Sequence, residues 1–212
     1  MRLFEKYRPA ALSEIIGQDK AVRKLGIIAR TGIGGKAFWF SGATGTGKTS
    51  MALILANEIA DDVFIMELDA GKLTPARLDD IEAESHFAAW GKGGRAYVVN
   101  EAHGLSAAAI RQLLVMLERI PSHVAWIFTT TNDGEEKLFD NCDDGFPLLS
   151  RCAAISLTNQ GLADALAPRL AEIAAAENLG IRPPADFKKL MQRNKNNVRA
   201  CLQAIEGGEF VD

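Results

Sequence analysis

The sequence predicts an α/β fold, in which a five-stranded and mostly parallel sheet with helices on both faces is followed by a smaller unit made only of helices. Three observations predict it. Short apolar runs alternate with helical patterns as far as Leu157, a glycine-rich loop joins the first run to a helical segment, and from Thr158 onward no strand-like run recurs. The expected boundaries are residues 1–157 for the α/β domain and 158–212 for the helical one.

The five expected strands are Ala37–Phe40, Val63–Leu68, Ala96–Val99, Val124–Thr130 and Ala153–Leu157. Each is too short for an independent helix and apolar enough for a strand covered on both faces. In the C-terminal part, Thr158 is suited to cap one helix and Pro168 to open the first turn of another, which Gly180 stops ahead of Arg182-Pro183-Pro184. Two further helices fit Ala185–Arg193 and Asn197–Glu206. The segment Asp133–Phe146 carries six carboxylates against Lys137 alone and reads as a solvated acidic loop.

With 212 residues and 48% hydrophobic content the chain has ample material for a core. No apolar run approaches the length of a membrane span, and Met1-Arg2-Leu3-Phe4-Glu5-Lys6 leads straight into charged sequence, which points to the cytoplasm. Cys142, Cys152 and Cys201 are scattered and odd in number, so neither a disulfide framework nor a zinc site is expected. A net charge of −3 advertises no nucleic acid globally, so any DNA contact must come from a local patch or a ring of subunits.

The glycine-rich loop carries the chemistry. Gly42, four free positions, then Gly47-Lys48-Thr49 reproduce the phosphate-binding loop of nucleoside triphosphatases, with a strand before and a helix after. The backbone N–H groups of Thr44, Gly45, Thr46, Gly47, Lys48, Thr49 and Ser50 are expected to curl around phosphate at a helix N-terminus. Lys48 would bridge the β- and γ-phosphates of ATP, and Thr49 would offer its hydroxyl to Mg2+. A second strand must end in groups that serve the metal and the attacking water, and Arg95-Ala96-Tyr97-Val98-Val99-Asn100-Glu101 has that form. Glu101 is the candidate to orient and deprotonate water. Asn100 stands where an aspartate would contact the metal's hydration shell, and its amide keeps the hydrogen-bonding shape but drops the charge. His103 reads as a packing or loop-capping residue.

The same residues carry a family resemblance over nearly the whole chain. Glu5-Lys6-Tyr7-Arg8-Pro9 and Ile15-Ile16-Gly17-Gln18 resemble the N-terminal box of the AAA+ clamp-loader ATPases: replication factor C small subunits, the gamma subunit of bacterial DNA polymerase III and their phage counterparts. Leu113-Leu114, Leu117-Glu118, Pro121 and Val124–Thr131 are similar to that family's helix and following strand, and Ser150-Arg151-Cys152 to its SRC motif. The resemblance implies a P-loop AAA+ domain followed by a lid, with the adenine near Tyr7, Arg8, Ile16 and Gly17. It places Thr131, or in competition Asn132, at the sensor 1 position. Arg151 would be a finger reaching a neighbouring subunit's ATP, and Arg199, in the sensor-2-like Asn197-Val198-Arg199, would lie over the γ-phosphate of its own chain.

Family members continue into a helical collar, so a chain stopping at Asp212 is expected to be either a naturally short version lacking it or a longer protein that has been cut. The expected function is an ATP-switched motor subunit that acts in DNA replication with other AAA+ clamp-loader subunits, a sliding clamp and primer-template DNA. One alternative is a regulatory or structural ATP-binding subunit that hydrolyses weakly because of Asn100. Another is an AAA+ helicase or recombination-associated ATPase.

Overall fold

The computed structural model describes residues 1–87, 89–141 and 144–211; within the described helices the side chains of Lys137, Phe139, Asp140 and Asn141 are not considered. Cys142, one of the three cysteines, lies outside the described residues. Chain order is α1 (Leu3–Lys6), α2 (Asp19–Thr31), β1 (Lys36–Ser41), α3 (Lys48–Asn57), β2 (Ile65–Asp69), α4 (Pro75–Ser85), β3 (Arg95–Asn100), α5 (Ala107–Leu117), β4 (Val124–Thr130), α6 (Asn132–Asn141), α7 (Gly145–Ser150), β5 (Cys152–Ser156), α8 (Leu162–Ala176), α9 (Pro184–Arg193) and α10 (Val198–Glu206).

The five strands form one sheet in the order β2-β3-β4-β1-β5, and every pairing is parallel. Alternate residues of each central strand enter opposite cores, as the twofold period of a strand requires. Trp39, Tyr97, Val99, Trp126 and Phe128 face one cluster, closed by α4, α5, α6 and α7. Phe38, Phe40, Val98, Ala125 and Ile127 face the other, closed by α2 and α3. A third cluster joins Leu3 of α1 to Leu162, Leu170, Phe187, Leu190, Leu202 and Ile205 of α8, α9 and α10.

Three expected elements differ from those found. The acidic segment is helical where it is described, because Thr131 Oγ1 accepts from Gly134 N at 3.1 Å and caps α6. Asp133 and Glu135 in its first turn favour the positive end of the helix, and Leu138 is buried in the sheet-side core. Pro168 opens no helix; it sits inside α8 on an exposed face. An interior proline costs about 3 kcal/mol, and burying Leu162, Ala163, Ala167, Leu170, Ile173 and Ala174 along the opposite stripe, at roughly 1.5–3 kcal/mol for each large side chain, outweighs it. The expected strand at Val63 starts at Ile65, since Asp62–Phe64 form a tight 3-10 turn.

Thr158 is held by a partner far away in sequence rather than capping a helix. Gln18 is buried, its Nε2 donates to Thr158 O at 2.8 Å and its Oε1 accepts from Thr158 N at 2.9 Å. This two-point clamp fixes the chain where it leaves β5 for α8. Gln18→Ala is expected to lower the unfolding free energy by about 1–3 kcal/mol, the net worth of two part-buried hydrogen bonds. Urea denaturation of the two proteins measures it.

Candidate phosphate-binding site

The site is built at the carboxyl ends of β1, β3 and β4. β1 lies between β4 and β5 while the chain that follows it crosses to β2 at the far edge, which opens a crevice where the connections diverge. The loop after β1 fills this crevice. Gly42, Gly45 and Gly47 have φ of 152, 78 and 97°. Gly47 precedes α3 without any side-chain cap, so the N–H groups of the helix's first turn stay free to face an anion. A Cβ on Gly42 would stand 2.8 Å from Leu157 O, so β5 approaches too closely for any other residue there.

Lys48 is buried, and its Nζ donates to Gly42 O at 2.9 Å and Ala43 O at 2.8 Å. Burial pushes the ammonium below the ordinary lysine range, with the Glu101 carboxylate opposing that shift and Arg199 adding to it. The next residue, Thr49, points its Oγ1 at Asn100 Oδ1 across 3.2 Å. Glu101 follows with φ 55° and ψ 47°, a left-handed conformation that costs a non-glycine residue on the order of 1–3 kcal/mol. It turns the chain sharply off β3, and its side chain is 64% exposed toward the cleft, with Oε2 3.6 Å from His103 Nε2. His103 Nδ1 in turn meets Thr130 Oγ1 at 3.1 Å, so this histidine ties the loop to the end of β4.

The helical unit covers the loop. Val198 N donates to Gly45 O at 3.2 Å, and Asn197 caps α10 by accepting from Ala200 N at 3.1 Å. Arg199 stands in the first turn of α10 with its guanidinium 5.4 Å from the Phe4 ring. A cleft of 480 Å³ results, between the loop, the N-terminal box and the helical unit. Its lining includes Tyr7, Arg8, Ile16, Thr44, Gly45, Thr46, Gly47, Lys48, Thr49, Ser50, Glu101 and Arg199. The Tyr7 hydroxyl bonds Glu177, to which Lys6 is also paired at 2.6 Å; those bonds raise the Lys6 and Tyr7 pKa values and hold the Glu177 carboxyl below its ordinary range.

Five expected residues lie outside that lining, among them Asn100, which reaches it through hydrogen bonds with Thr49 and Thr129. Gly17 packs against Leu162, the nearest side-chain atom to a built Cβ at 2.8 Å. The Thr131 hydroxyl is the cap of α6, and Asn132 faces a separate shallow depression with Ser41, Glu135 and Glu136. The hydroxyl at the end of β4 that does line the cleft is Thr129, which donates to Asn100 Oδ1 at 3.0 Å. Arg151 is turned to Glu118 Oε1 at 2.6 Å and Pro147 O at 3.0 Å, and it lowers the Glu118 pKa. Arg169, also cleft-lining and 5.9 Å from the Tyr7 ring, has no motif to announce it; only its place on α8, within a helical turn of Leu166 and Leu170, brings it in.

Comparison with known proteins fits this geometry. Residues 5–85 match the family described as the TIP49 P-loop domain. The chain is 31% identical to the DNA polymerase III subunit gamma/tau of Mycoplasma pneumoniae over 96% of this chain and 32% of that one. It is 28% identical to the replication factor C small subunit of Methanoregula boonei over 98% of this chain and 63% of that one. The chain is thus similar to clamp-loader subunits. It spans about a third of the gamma/tau relatives' length. The fold also matches Thermotoga maritima RuvB, described as a Holliday junction branch migration motor, with TM-score 0.70 and 21% identity over 94% of this chain and 64% of that one. A DNA polymerase III gamma subunit-related protein of the same organism gives TM-score 0.62 at 12% identity, over 87% of this chain and 57% of that one.

The Gly45 contact generates a prediction. A Cβ there would stand 2.0 Å from Asn197 Oδ1, on a backbone with φ +78° that L side chains disfavour. Gly45→Ala is expected to displace α10 from the loop and lower affinity for a fluorescent ATP analogue about tenfold or more, the loss of one charge-assisted contact. Adding Asn197→Ser, which keeps a capping hydroxyl on a shorter side chain, should recover part of the loss; equilibrium titration of the three proteins checks both.

Proposed function

We propose that the chain binds and hydrolyses ATP with Mg2+ as a motor subunit of a clamp-loader-like assembly in DNA replication. One observation carries the reading: a single cleft gathers the glycine-rich loop, Lys48, Glu101 and Arg199 from the helical unit, with Asn100 hydrogen-bonded to the lining residue Thr49. The relatives named as DNA polymerase III gamma/tau and replication factor C small subunit support the process, and through them the expected partners: other AAA+ subunits, a sliding clamp and primer-template DNA, in the cytoplasm.

In this reading the amides of residues 44–50 bind the phosphates and Lys48 exchanges its carbonyl partners for phosphate oxygens. Tyr7, Arg8 and Ile16 flank the base. The donor set suits a hard cation, since Thr49 Oγ1 and Asn100 Oδ1 converge at the loop, and both are oxygens. Bound there, Mg2+ would neutralise charge on the β- and γ-phosphate oxygens. Glu101 orients water and takes its proton. The β4 hydroxyl that lines the same cleft is Thr129, with Thr131 and Asn132 two and three residues farther along the chain. Residues 158–212 act as a lid, and Arg199, resting on Phe4, moves onto the γ-phosphate. Arg151 acts on a neighbouring subunit once released from Glu118.

A second reading, an ATP-holding regulatory subunit with weak hydrolysis, draws on the neutral Asn100 and on the Arg151–Glu118 pair. Turnover in the assembled state separates the two.

Lys48→Ala should weaken binding of a fluorescent ATP analogue about 10- to 100-fold, the worth of one charge-assisted contact to phosphate; unchanged affinity would refute the site. Arg151→Ala should leave binding intact and lower turnover on the order of 10³-fold in an assembly that uses this chain's finger. Mixing Lys48→Ala chains, which keep Arg151, with Arg151→Ala chains, which keep Lys48, should restore activity at concentrations where the parent associates. Absence of recovery there would reduce Arg151 to a surface charge.

A further inference from the structure

Asn100 has two chemically different ends, an Oδ1 that only accepts and an Nδ2 that only donates. Oδ1 accepts from Thr49 Oγ1 at 3.2 Å and Thr129 Oγ1 at 3.0 Å, while Nδ2 donates to Glu67 Oε2 at 3.2 Å. Glu67 belongs to the edge strand β2, where Glu67 pairs with Val98 and Asp69 with Asn100. The twofold period therefore puts Glu67 on the same sheet face as Asn100, one residue pair back from the strand end.

This partner removes an ambiguity. A hydroxyl both donates and accepts, so Thr49 and Thr129 alone would tolerate either orientation of the amide. A carboxylate accepts only, so the end that meets Glu67 must be the NH2 group, and the oxygen is turned onto Thr49. The amide dipole then runs from the carboxylate to the loop with its negative end at the Thr49 hydroxyl.

We propose that Glu67 is a positioning residue for the magnesium side of the phosphate site: it locks Asn100 with its oxygen on Thr49 and supplies, from the neighbouring strand, the negative charge that an aspartate at position 100 would have carried. The assignment rests on the reading that the cleft takes a magnesium nucleotide. One consequence is that Asn100→Asp alone is no improvement, because it sets two carboxylates against each other.

The test is a Mg2+ titration of fluorescent ATP analogue binding to the parent and to Glu67→Ala, Glu67→Gln, Asn100→Asp and the double variant Asn100→Asp with Glu67→Gln. Glu67→Ala should move the magnesium midpoint upward about 10-fold, the low end of what outer partners of a metal site contribute, and leave binding in EDTA unchanged. Glu67→Gln keeps an acceptor without the charge and should fall between Ala and parent. Equality with the parent would remove the charge from the proposal, and equality with Ala would remove the orienting role. The double variant should match or better the parent where Asn100→Asp alone does not. Glu67 is exposed, so these chains are expected to fold, which thermal unfolding without ligand checks. A parent that responds to Mg2+ beside a Glu67→Ala variant with the same midpoint overturns the assignment alone. A parent that fails to bind the analogue overturns the proposed function and this assignment with it.

Discussion

The geometry of the site depends on one buried charge. Lys48 Nζ lies inside the loop with Gly42 O and Ala43 O as its hydrogen-bonding partners, and an ammonium removed from water needs such partners or must give up its proton. Two carbonyls satisfy part of that need, and the lowered pKa shows that burial still works against the charge. The loop is therefore wound around its own cation before any anion arrives. In the proposed function an incoming phosphate would meet a loop already wound, so little ordering entropy would remain to be lost on binding. The positive φ values at Gly45 and Gly47 follow from this winding, since an L residue at either point would force the loop open.

From Lys48 the constraint passes to the sheet. Thr49, adjacent to Lys48 at the start of α3, is joined to Asn100, and Asn100 to Thr129 and Glu67, so one amide ties the helix to β2, β3 and β4. Glu101 is the next residue, and its left-handed backbone is the price of leaving β3 at once instead of continuing past the loop. Gly104 N answers with a bond to Glu101 O at 2.7 Å, and the His103–Thr130 contact holds the turn from its far side. A strained residue whose neighbours are pinned on both sides keeps its side chain in one region of space, which is the requirement for a group that must meet a water molecule in a fixed place.

What was legible in the sequence is what recurs along one strand or one loop. β4 is legible at its observed limits and the glycine-rich loop is legible in its place between a strand and a helix, because apolar period and glycine spacing are local signals. The helical segment 132–141 was not, since its cap is a threonine that the strand pattern had already claimed and its buried face is a single apolar residue, Leu138, among charges. Pro168 misled for a similar reason: a local breaker was overruled by burial along the other side of α8. At the site, Thr129, Glu67 and Arg169 carry no signal because each matters through a residue on another element, and Asn197, though part of a recognisable motif, gives no sign of its contact with Gly45. Thr131 and Arg151, placed by resemblance, have side chains committed to α6 and to Glu118 in this chain taken alone.

The helical unit is joined to the sheet by contacts at both ends of the cleft. At the base end, Lys6 and Tyr7 meet Glu177 just past α8, and Gln18 clamps Thr158. At the phosphate end, Val198 N meets Gly45 O and Asn197 packs on the same glycine. The first set uses side chains that a phosphate does not touch, whereas the second uses the backbone of the loop itself. A change of loop shape is thus felt first at α10, while the other end stays held. In the proposed function that asymmetry would make the Glu177 end a pivot and the α10 end the moving edge, with Arg199 in the first turn of that helix. Its resting partner, the Phe4 ring, offers a cation–π contact of about 0.5–1 kcal/mol. A charge-assisted bond to phosphate is worth about 1.5–3 kcal/mol, so in the proposed function the exchange would run toward a bound triphosphate and reverse once its γ-phosphate is gone.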